Sequence, residues 1–170
     1  MADPNFKGTV TYLCEHNENG ALGVVVNRPT ALTMDTLFEQ IEIVVSDLAL
    51  TQRKVHFGGP VSVEHGFVLH RSHGSWNSSI AVSDELSLTT SKDILEAVAS
   101  GRGPEQWLLT LGYSGWSAGQ LEKELAANAW LTVPADADLL FGTSAEALAD
   151  AAISRLGISK FALSNLSGHA

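Results

Sequence analysis

The sequence contains one cysteine among 170 residues, so an internal disulfide bond is excluded. A lone thiol fits a reducing compartment, of which the cytoplasm is the simplest. No apolar run approaches the roughly 20 residues that a helix needs to cross a bilayer. The first residues form neither a basic segment nor an apolar one, so no signal peptide is predicted. These absences together predict a cytoplasmic protein without a membrane segment.

Positive charge is also scarce. The chain carries 10 Lys and Arg against 19 Asp and Glu, which gives a formal net charge of −9. The densest basic group is Arg53-Lys54 with His56, whereas residues 120–150 hold six acids and one lysine. Nucleic-acid binding depends on clustered Lys and Arg. We therefore expect a protein partner or a small ligand, and we do not expect direct contact with nucleic acid.

The composition of the sequence is typical of one globular domain, which is predicted to span residues 1–170. The sequence is 45% hydrophobic and 17% charged, and it shows no repeat or linker. Strand-like and helix-like segments alternate irregularly, which favours α+β over a doubly wound parallel sheet. The predicted strands are Thr9–His16, Ala21–Val26, Lys54–Phe57, Gly66–His70, Ser79–Val82, Leu86–Thr89, Trp107–Leu111 and Trp130–Val133. The predicted helices are 33–41, Ser91–Ser100, Gln120–Asn128, and one from the capping box at Thr143–Glu146 to Gly157.

The first two strands are predicted to form a hairpin, because Asn19-Gly20 is a strong two-residue turn signal. That turn places His16 opposite Gly23 and Cys14 opposite Val25. Side chains alternate across a strand, so Cys14, His16, Tyr12 and Asn27 would share one face. Glu15 and Arg28 would lie on the other face.

Two segments carry residues capable of nucleophilic catalysis. Cys14 and His16 lie two residues apart and could form a thiolate–imidazole pair, although a buried, inert cysteine is the simpler interpretation. "GWSAG", Gly115 to Gly119, matches the G-x-S-x-G pattern around Ser117, with Asp136 or Asp138 and then His169 following in hydrolase order. A glycine-rich loop in which Ser117 caps the next helix explains the same pattern. An enzyme that uses Cys14/His16 or Ser117 therefore stays the alternative hypothesis.

Other patterns predict binding less specifically. Among the six histidines, His70 and His73 have a possible metal-ligand spacing, but a strand-to-loop segment does not direct two imidazoles toward one point. No metal site and no cofactor are therefore predicted. Gly58-Gly59-Pro60 is either a tight turn or a place where the backbone approaches a ligand. Arg28, held extended by Pro29, can pair with an acidic ligand or with an acid of this chain.

Several segments together resemble the YqgE/AlgH family. They are Asp3-Pro4-Asn5-Phe6, Thr9-Val10, Glu15-His16, Gly20-Ala21-Leu22-Gly23, Asn27-Arg28-Pro29, Gly58-Gly59-Pro60-Val61, Gly66-Phe67-Val68-Leu69-His70, Thr89-Thr90-Ser91-Lys92-Asp93, Leu111-Gly112-Tyr113-Ser114-Gly115-Trp116, Gly119-Gln120-Leu121-Glu122, Asn128-Ala129-Trp130-Leu131 and Gly168-His169-Ala170. The matches cover nearly the whole chain in one order.

The resemblance implies a single α+β domain of bifurcated, coiled, mostly antiparallel β-sheets, partly barrel-like, with helices packed outside. It implies a bacterial cytoplasmic protein without an assigned enzymatic activity, and some members carry a label as transcriptional regulators. Members begin with a short apolar strand before the Asp-Pro, so we expect the native start to lie upstream of Met1.

The acidic charge favours an indirect regulatory role through a partner. The expected ligand- or partner-binding surface combines residues of the matched motifs: Glu15, His16, Asn27, Arg28, Gly58, Gly59, Tyr113 and Trp116.

Overall fold

The computed structural model describes residues 8–155 and shows an α+β fold built on a curled, mostly antiparallel sheet. The strands are β1 (Thr11–Asn17), β2 (Gly20–Val25), β3 (Pro29–Thr33), β4 (Lys54–Phe57), β5 (Val61–Arg71), β6 (Ser79–Ala81), β7 (Leu86–Thr89) and β8 (Trp107–Ser117). The helices are α1 (Met34–Gln40), α2 (Leu48–Thr51), α3 (Lys92–Ala99), α4 (Gln120–Ala126), α5 (Ala137–Gly142) and α6 (Leu148–Ser154). The α+β class and the bifurcated sheet that the resemblance implied are confirmed.

The sheet divides at its central strand, β8. The main order is β1-β2-β8-β5-β7-β6, and β5 pairs with β8 antiparallel along one edge. The other edge of β8 pairs first with β4 in parallel, at Thr110 and Leu111. It then pairs with β2 antiparallel, at Ser114 to Ser117. Two strands therefore leave the same edge of β8 in succession, and this is the fork of the sheet.

The sheet has a core on each face, because successive residues of a strand point to opposite sides. Leu69 on β5 belongs to one core, together with Val24 of β2 and Leu148 of α6. Its neighbour Val68 belongs to the other core, together with Phe38 of α1 and residues of α3. Helices therefore cover both faces, and α1 and α3 share the second core.

Several predicted elements differ from the structure; the strand predicted from Gly66, for example, begins at Val61. Residues 130–133 form no strand; Trp130 is instead held by a hydrogen bond from its indole N–H to Glu124. The last helix begins at Leu148 after a turn, and not at the capping box around Thr143. The strand from Trp107 continues through the predicted loop to Ser117, because β2 pairs with that stretch. The predicted helix end at Gly157 lies outside the described residues.

Candidate functional site

The predicted hairpin exists, but its register is wrong. The turn residues are Glu18-Asn19, and Asn17 lies opposite Gly20, which places His16 opposite Ala21. The Asn17 side chain accepts a hydrogen bond from the Asn19 N–H at 2.8 Å, which stabilises this earlier turn. Gly20 instead belongs to β2, where the backbone of β8 approaches closely. A Cβ on Gly20 would lie 2.2 Å from the Trp116 carbonyl oxygen.

Cys14 is the extra residue of a β-bulge in β1, between Leu13 and Glu15. Its side chain is only 7% exposed and packs in the core with Val24 and Val26. Burial first, and the charge of Glu15 second, raise the pKa of the Cys14 thiol to about 12. The thiol therefore stays protonated at neutral pH, and a protonated thiol is a poor nucleophile.

His16 faces helix α4 and not Cys14. Its Nε2 lies 3.2 Å from Oε1 of Glu122, and both side chains are solvent-accessible. The hydrogen bond to His16 helps to lower the pKa of the Glu122 carboxyl, after a backbone hydrogen bond within Glu122 itself. Glu15, opposite Leu22, is exposed. The hairpin thus presents Glu15 and His16 at its surface, with His16 held by α4.

Trp116 is buried at the same end of the hairpin, where its indole bonds to α4. It lies opposite Ala21 on the neighbouring strand and is 7% exposed. Its indole N–H donates to Oε1 of Glu124 at 3.2 Å, and the indole of Trp130 donates to the same oxygen at 2.8 Å. The two rings meet edge to face, with centroids 6.0 Å apart. These indole hydrogen bonds help to lower the pKa of Glu124 against the opposing effect of burial.

Asn27 and Arg28 lie beyond the other end of β2. Oδ1 of Asn27 accepts from the Val10 N–H at 2.8 Å, and its Nδ2 donates to the Gly8 carbonyl at 3.3 Å. Arg28 is exposed, and its carbonyl accepts a hydrogen bond from the Phe57 N–H. Asn27 therefore ties Gly8 and Val10 to the segment that follows β2, and Arg28 lies at the surface.

Gly58 and Gly59 lie at the fork of the sheet. A Cβ on Gly58 would be 2.3 Å from the Gly112 oxygen, and one on Gly59 would be 2.1 Å from the Tyr113 carbonyl carbon. The Gly58 carbonyl accepts from the Val25 N–H at 2.8 Å. The backbones approach too closely for any larger residue, and this contact explains both glycines. Tyr113 packs edge to face on Phe67, with ring centroids 5.5 Å apart.

The eight expected site residues therefore fall into groups and do not line one pocket. Glu15, His16 and Trp116 lie at the α4 end of the hairpin. Arg28 lies three residues beyond the opposite end of β2, a strand about 16 Å long at roughly 3.3 Å per residue. Motif matches along the sequence gave no information on this separation.

Ser117 ends β8 and is exposed. Its N–H and its hydroxyl both donate to Oε1 of Gln120, at 3.0 and 3.2 Å. Asp136 caps α5 and pairs with Arg155 at 3.0 Å, while Asp138 pairs with Arg71 at 3.3 Å. His169 lies outside the described residues. The loop-and-cap interpretation is therefore wrong: Ser117 belongs to β8, and the N-cap of α4 is Gly119, without a side-chain capping hydrogen bond. The Ser117 hydroxyl is instead engaged by the Gln120 side chain.

Sequence reasoning missed a buried hydroxyl–histidine chain beside β7. His70 is 1% exposed; its Nδ1 lies 2.9 Å from the Arg71 carbonyl and its Nε2 lies 2.7 Å from the Thr89 hydroxyl. Thr89 in turn lies 2.9 Å from the Ser79 hydroxyl. Burial is the main cause that lowers the pKa of His70. Only the strand pairing reveals this chain, since its members are far apart in sequence.

Two of the concave surfaces in the described part of the chain are open grooves. One, of about 830 Å³, is lined by Arg71, His73 and Arg102 among others. The other, of about 410 Å³, lies between α1 and α2. Among residues 8–155 no group of three or more His, Cys, Asp or Glu side chains is placed to hold a metal ion. No helix in that range is both long enough and apolar enough to cross a membrane.

Comparison with known proteins gives one consistent family. The family model described as AlgH-like matches residues 1–160. A UPF0301 protein of Ralstonia nicotianae is 54% identical over 170 residues, covering all of this chain and 90% of the relative. A UPF0301 protein of Burkholderia vietnamiensis is 52% identical over 172 residues, with the same coverage.

Solved structures agree with this assignment. The solution structure of the AlgH protein from Pseudomonas aeruginosa matches with a TM-score of 0.82 at 48% identity, over all of this chain and 90% of that one. A crystal structure from Corynebacterium diphtheriae matches with a TM-score of 0.62 at 18% identity, covering 81% of this chain and 72% of that one. The second match shows a shared fold alone.

Proposed function

Because this chain belongs to the AlgH-like family of bacterial proteins, we propose that it is a non-enzymatic regulatory protein of the cytoplasm that acts by binding a partner protein. The observation that carries the proposal is the state of Cys14. A catalytic cysteine needs a thiolate and access to substrate. Cys14 is 7% exposed and its pKa is raised to about 12. Ser117, the second candidate nucleophile, gives its hydrogen bond to Gln120.

The charge distribution supports indirect regulation. The net charge of −9 opposes approach to a phosphate backbone. The cation of Arg53, in the densest basic group of the sequence, lies 3.8 Å from the ring centroid of Trp107. It is therefore partly withdrawn from solvent. A regulatory effect on transcription would then pass through a protein that itself contacts nucleic acid.

The shape of the surface favours a macromolecular partner over a small ligand. Small-molecule sites are usually concave and enclose most of the ligand. The two grooves described above are both open to solvent. We assign the partner contact to the exposed residues Glu15 and His16 on the hairpin and to Arg28 beyond the opposite end of β2. Asn27, Gly58, Gly59, Tyr113 and Trp116 would maintain the backbone shape that presents them.

Complementation of a gene deletion tests this function. Cells that lack the gene would receive wild-type protein or a Cys14→Ala/Ser117→Ala variant, and transcript levels would be measured. We expect the variant to restore the wild-type transcript pattern, since neither side chain reacts. A folded variant that restores nothing would contradict the proposal and favour an enzyme.

The same assay tests the binding surface. His16→Ala and Arg28→Ala proteins with unchanged melting temperatures should fail to restore the transcripts. Glu18→Ala provides the matched control, because Glu18 is exposed on the same hairpin but lies outside the proposed contact. Full activity of both His16→Ala and Arg28→Ala would place the partner contact elsewhere on the molecule.

A further inference from the structure

The segment from α1 to α2 presents apolar side chains to solvent. Val44 is 95% exposed and Leu48 is 71% exposed. Val44 lines the groove of about 410 Å³ together with Phe38 and Ile43. Leu48 is the first residue of α2, whose last residue, Thr51, also lines the groove. Exposed apolar patches with a polar rim are typical of protein interaction sites.

The rim of this groove is acidic. Residues 34–52 contain four carboxylates, those of Asp35, Glu39, Glu42 and Asp47, and no Lys, Arg or His. None of the four forms an ion pair with another described residue. Arg53, the next cation along the chain, donates a hydrogen bond to the Trp107 carbonyl and stacks on that ring. Within residues 8–155, no Lys, Arg or His side chain forms an ion pair with these rim carboxylates.

Glu42 is held in an uncommon backbone conformation at this rim. Its φ is 61°, in the left-handed region that glycine usually occupies after a helix. Its N–H donates to the Glu39 carbonyl, and the Ile43 N–H donates to the Phe38 carbonyl, so these bonds close α1. The helix end thus fixes the backbone of Glu42, and Glu42 lines the same groove as the exposed Val44.

From the charge and the exposed apolar groups we infer that the α1–α2 groove is a docking site for a basic amphipathic segment of a partner protein. This inference rests on the proposed function, since it names the chemistry of the partner. Leu- or Val-like side chains of the segment would cover Val44 and Leu48. Its Lys or Arg side chains would pair with Glu39 and Glu42 at the rim.

The same observations disfavour other occupants. Nucleic acid and anionic membrane surfaces carry the same sign of charge as the rim. A second copy of the chain also carries −9. Like charges facing one another across an interface disfavour association. A cationic protein segment is the occupant that satisfies both the apolar centre and the acidic rim.

The first test uses a defined probe with the full-length, ¹⁵N-labelled protein. The probe is a 15-residue synthetic peptide with Leu on one helical face and Lys on the other; the control peptide carries Glu in place of Lys. We expect the Lys peptide to shift amide resonances within residues 35–51, and the Glu peptide to shift none there. Shifts centred on the hairpin instead would overturn this docking site while leaving the proposed function intact.

Variants then test the contact by fluorescence anisotropy with the Lys peptide. Val44→Ser/Leu48→Ser should weaken binding about tenfold or more, because the apolar contact is lost. Glu39→Gln/Glu42→Gln should weaken binding and reduce its dependence on salt. Val63→Ser/Glu64→Gln is the matched control, since it removes an exposed apolar group and an acid elsewhere.

Equal affinity of all three variants would mean nonspecific attraction and would overturn the inference. Concentration-dependent shifts at the same amides without peptide, with a dimer in sedimentation, would assign the groove to a second copy. Failure of the peptide tests, with normal complementation by Val44→Ser/Leu48→Ser, would reject this groove alone. Failure of the nucleophile-free protein to complement would reject the proposed function.

Discussion

The thiol of Cys14 should react far more slowly in the folded protein than in the unfolded chain. Its pKa is raised from 9.0 to about 12, a difference of three units. Below both values, the thiolate fraction falls tenfold for each unit, so it is about 1000-fold lower in the folded state. Burial to 7% exposure hinders the reagent further. The labelling rate should therefore be reduced by at least about 1000-fold.

The assay is labelling by a chromogenic disulfide reagent near pH 8, in buffer and in denaturant. A matched control comes from the adjacent residue: Leu13 is 38% exposed on the same strand. A Leu13→Cys/Cys14→Ser protein should therefore label at nearly the denatured-state rate. If native Cys14 labels within tenfold of that control, our reasoning about burial is wrong and the cysteine enzyme hypothesis returns.

Three further perturbations test the packing behind the proposed surface. Gly59→Ala should lower the free energy of unfolding by about 3 kcal/mol in urea titrations, because the added Cβ meets backbone atoms. Gly101→Ala, which meets no atom within 4 Å, should cost only about 1 kcal/mol. Glu124→Ala should lower the free energy of unfolding by about 2 kcal/mol, because two indole N–H groups lose their acceptor. Glu124→Gln should lower it less, because its amide oxygen can still accept. Equal losses for the two variants would contradict this role of Glu124. Burial lowers the folded-state pKa of His70 below its unfolded value of about 6.5. Stability should therefore be complete above that pH and fall as the pH decreases, and His70→Gln should flatten the fall in thermal unfolding.

Apolar periodicity predicted the helices α1 and α3, whose buried side chains recur at helical spacing. The spacing of Met34 and Phe38 gives α1, and that of Ile94, Leu95 and Val98 gives α3; all five are buried. In each case the helix buries the same stripe that the sequence displays. Periodicity finds such helices because their buried stripe is written in one continuous segment, although their stability comes from packing against the sheet.

Periodicity does not predict structure that is determined by contacts between residues distant in sequence. Asn19-Gly20 has strong turn chemistry, yet Gly20 is used for close approach to the Trp116 backbone and the turn forms one residue earlier. The bulge at Cys14 then changes which side chains share a face. The residues around Trp130 have strand propensity, but its indole bond to Glu124 holds them in an irregular segment. Tertiary contacts outweigh local preference at each of these places.

The candidate site shows the same division between local and distant information. The family resemblance identified Glu15, His16 and Arg28 as shared residues, but the matched motifs carry no information about distance. No sequence motif predicts the α1–α2 groove, because exposed apolar residues and an acidic rim form no short motif. Only the exposure of Val44 and Leu48 reveals that surface.

The fork of the sheet relates these surfaces to one another. Along a single edge of β8, β4 pairs at Thr110 and Leu111, and β2 pairs from Ser114 onward. The strand β4 follows α2 in the chain and so connects β8 to the α1–α2 groove. The strand β2 belongs to the hairpin. The Gly58 carbonyl accepts from Val25 on β2, so one glycine residue ties both branches together. Disruption of this glycine contact should therefore impair both surfaces at once, whereas substitution of exposed residues should impair only one of them.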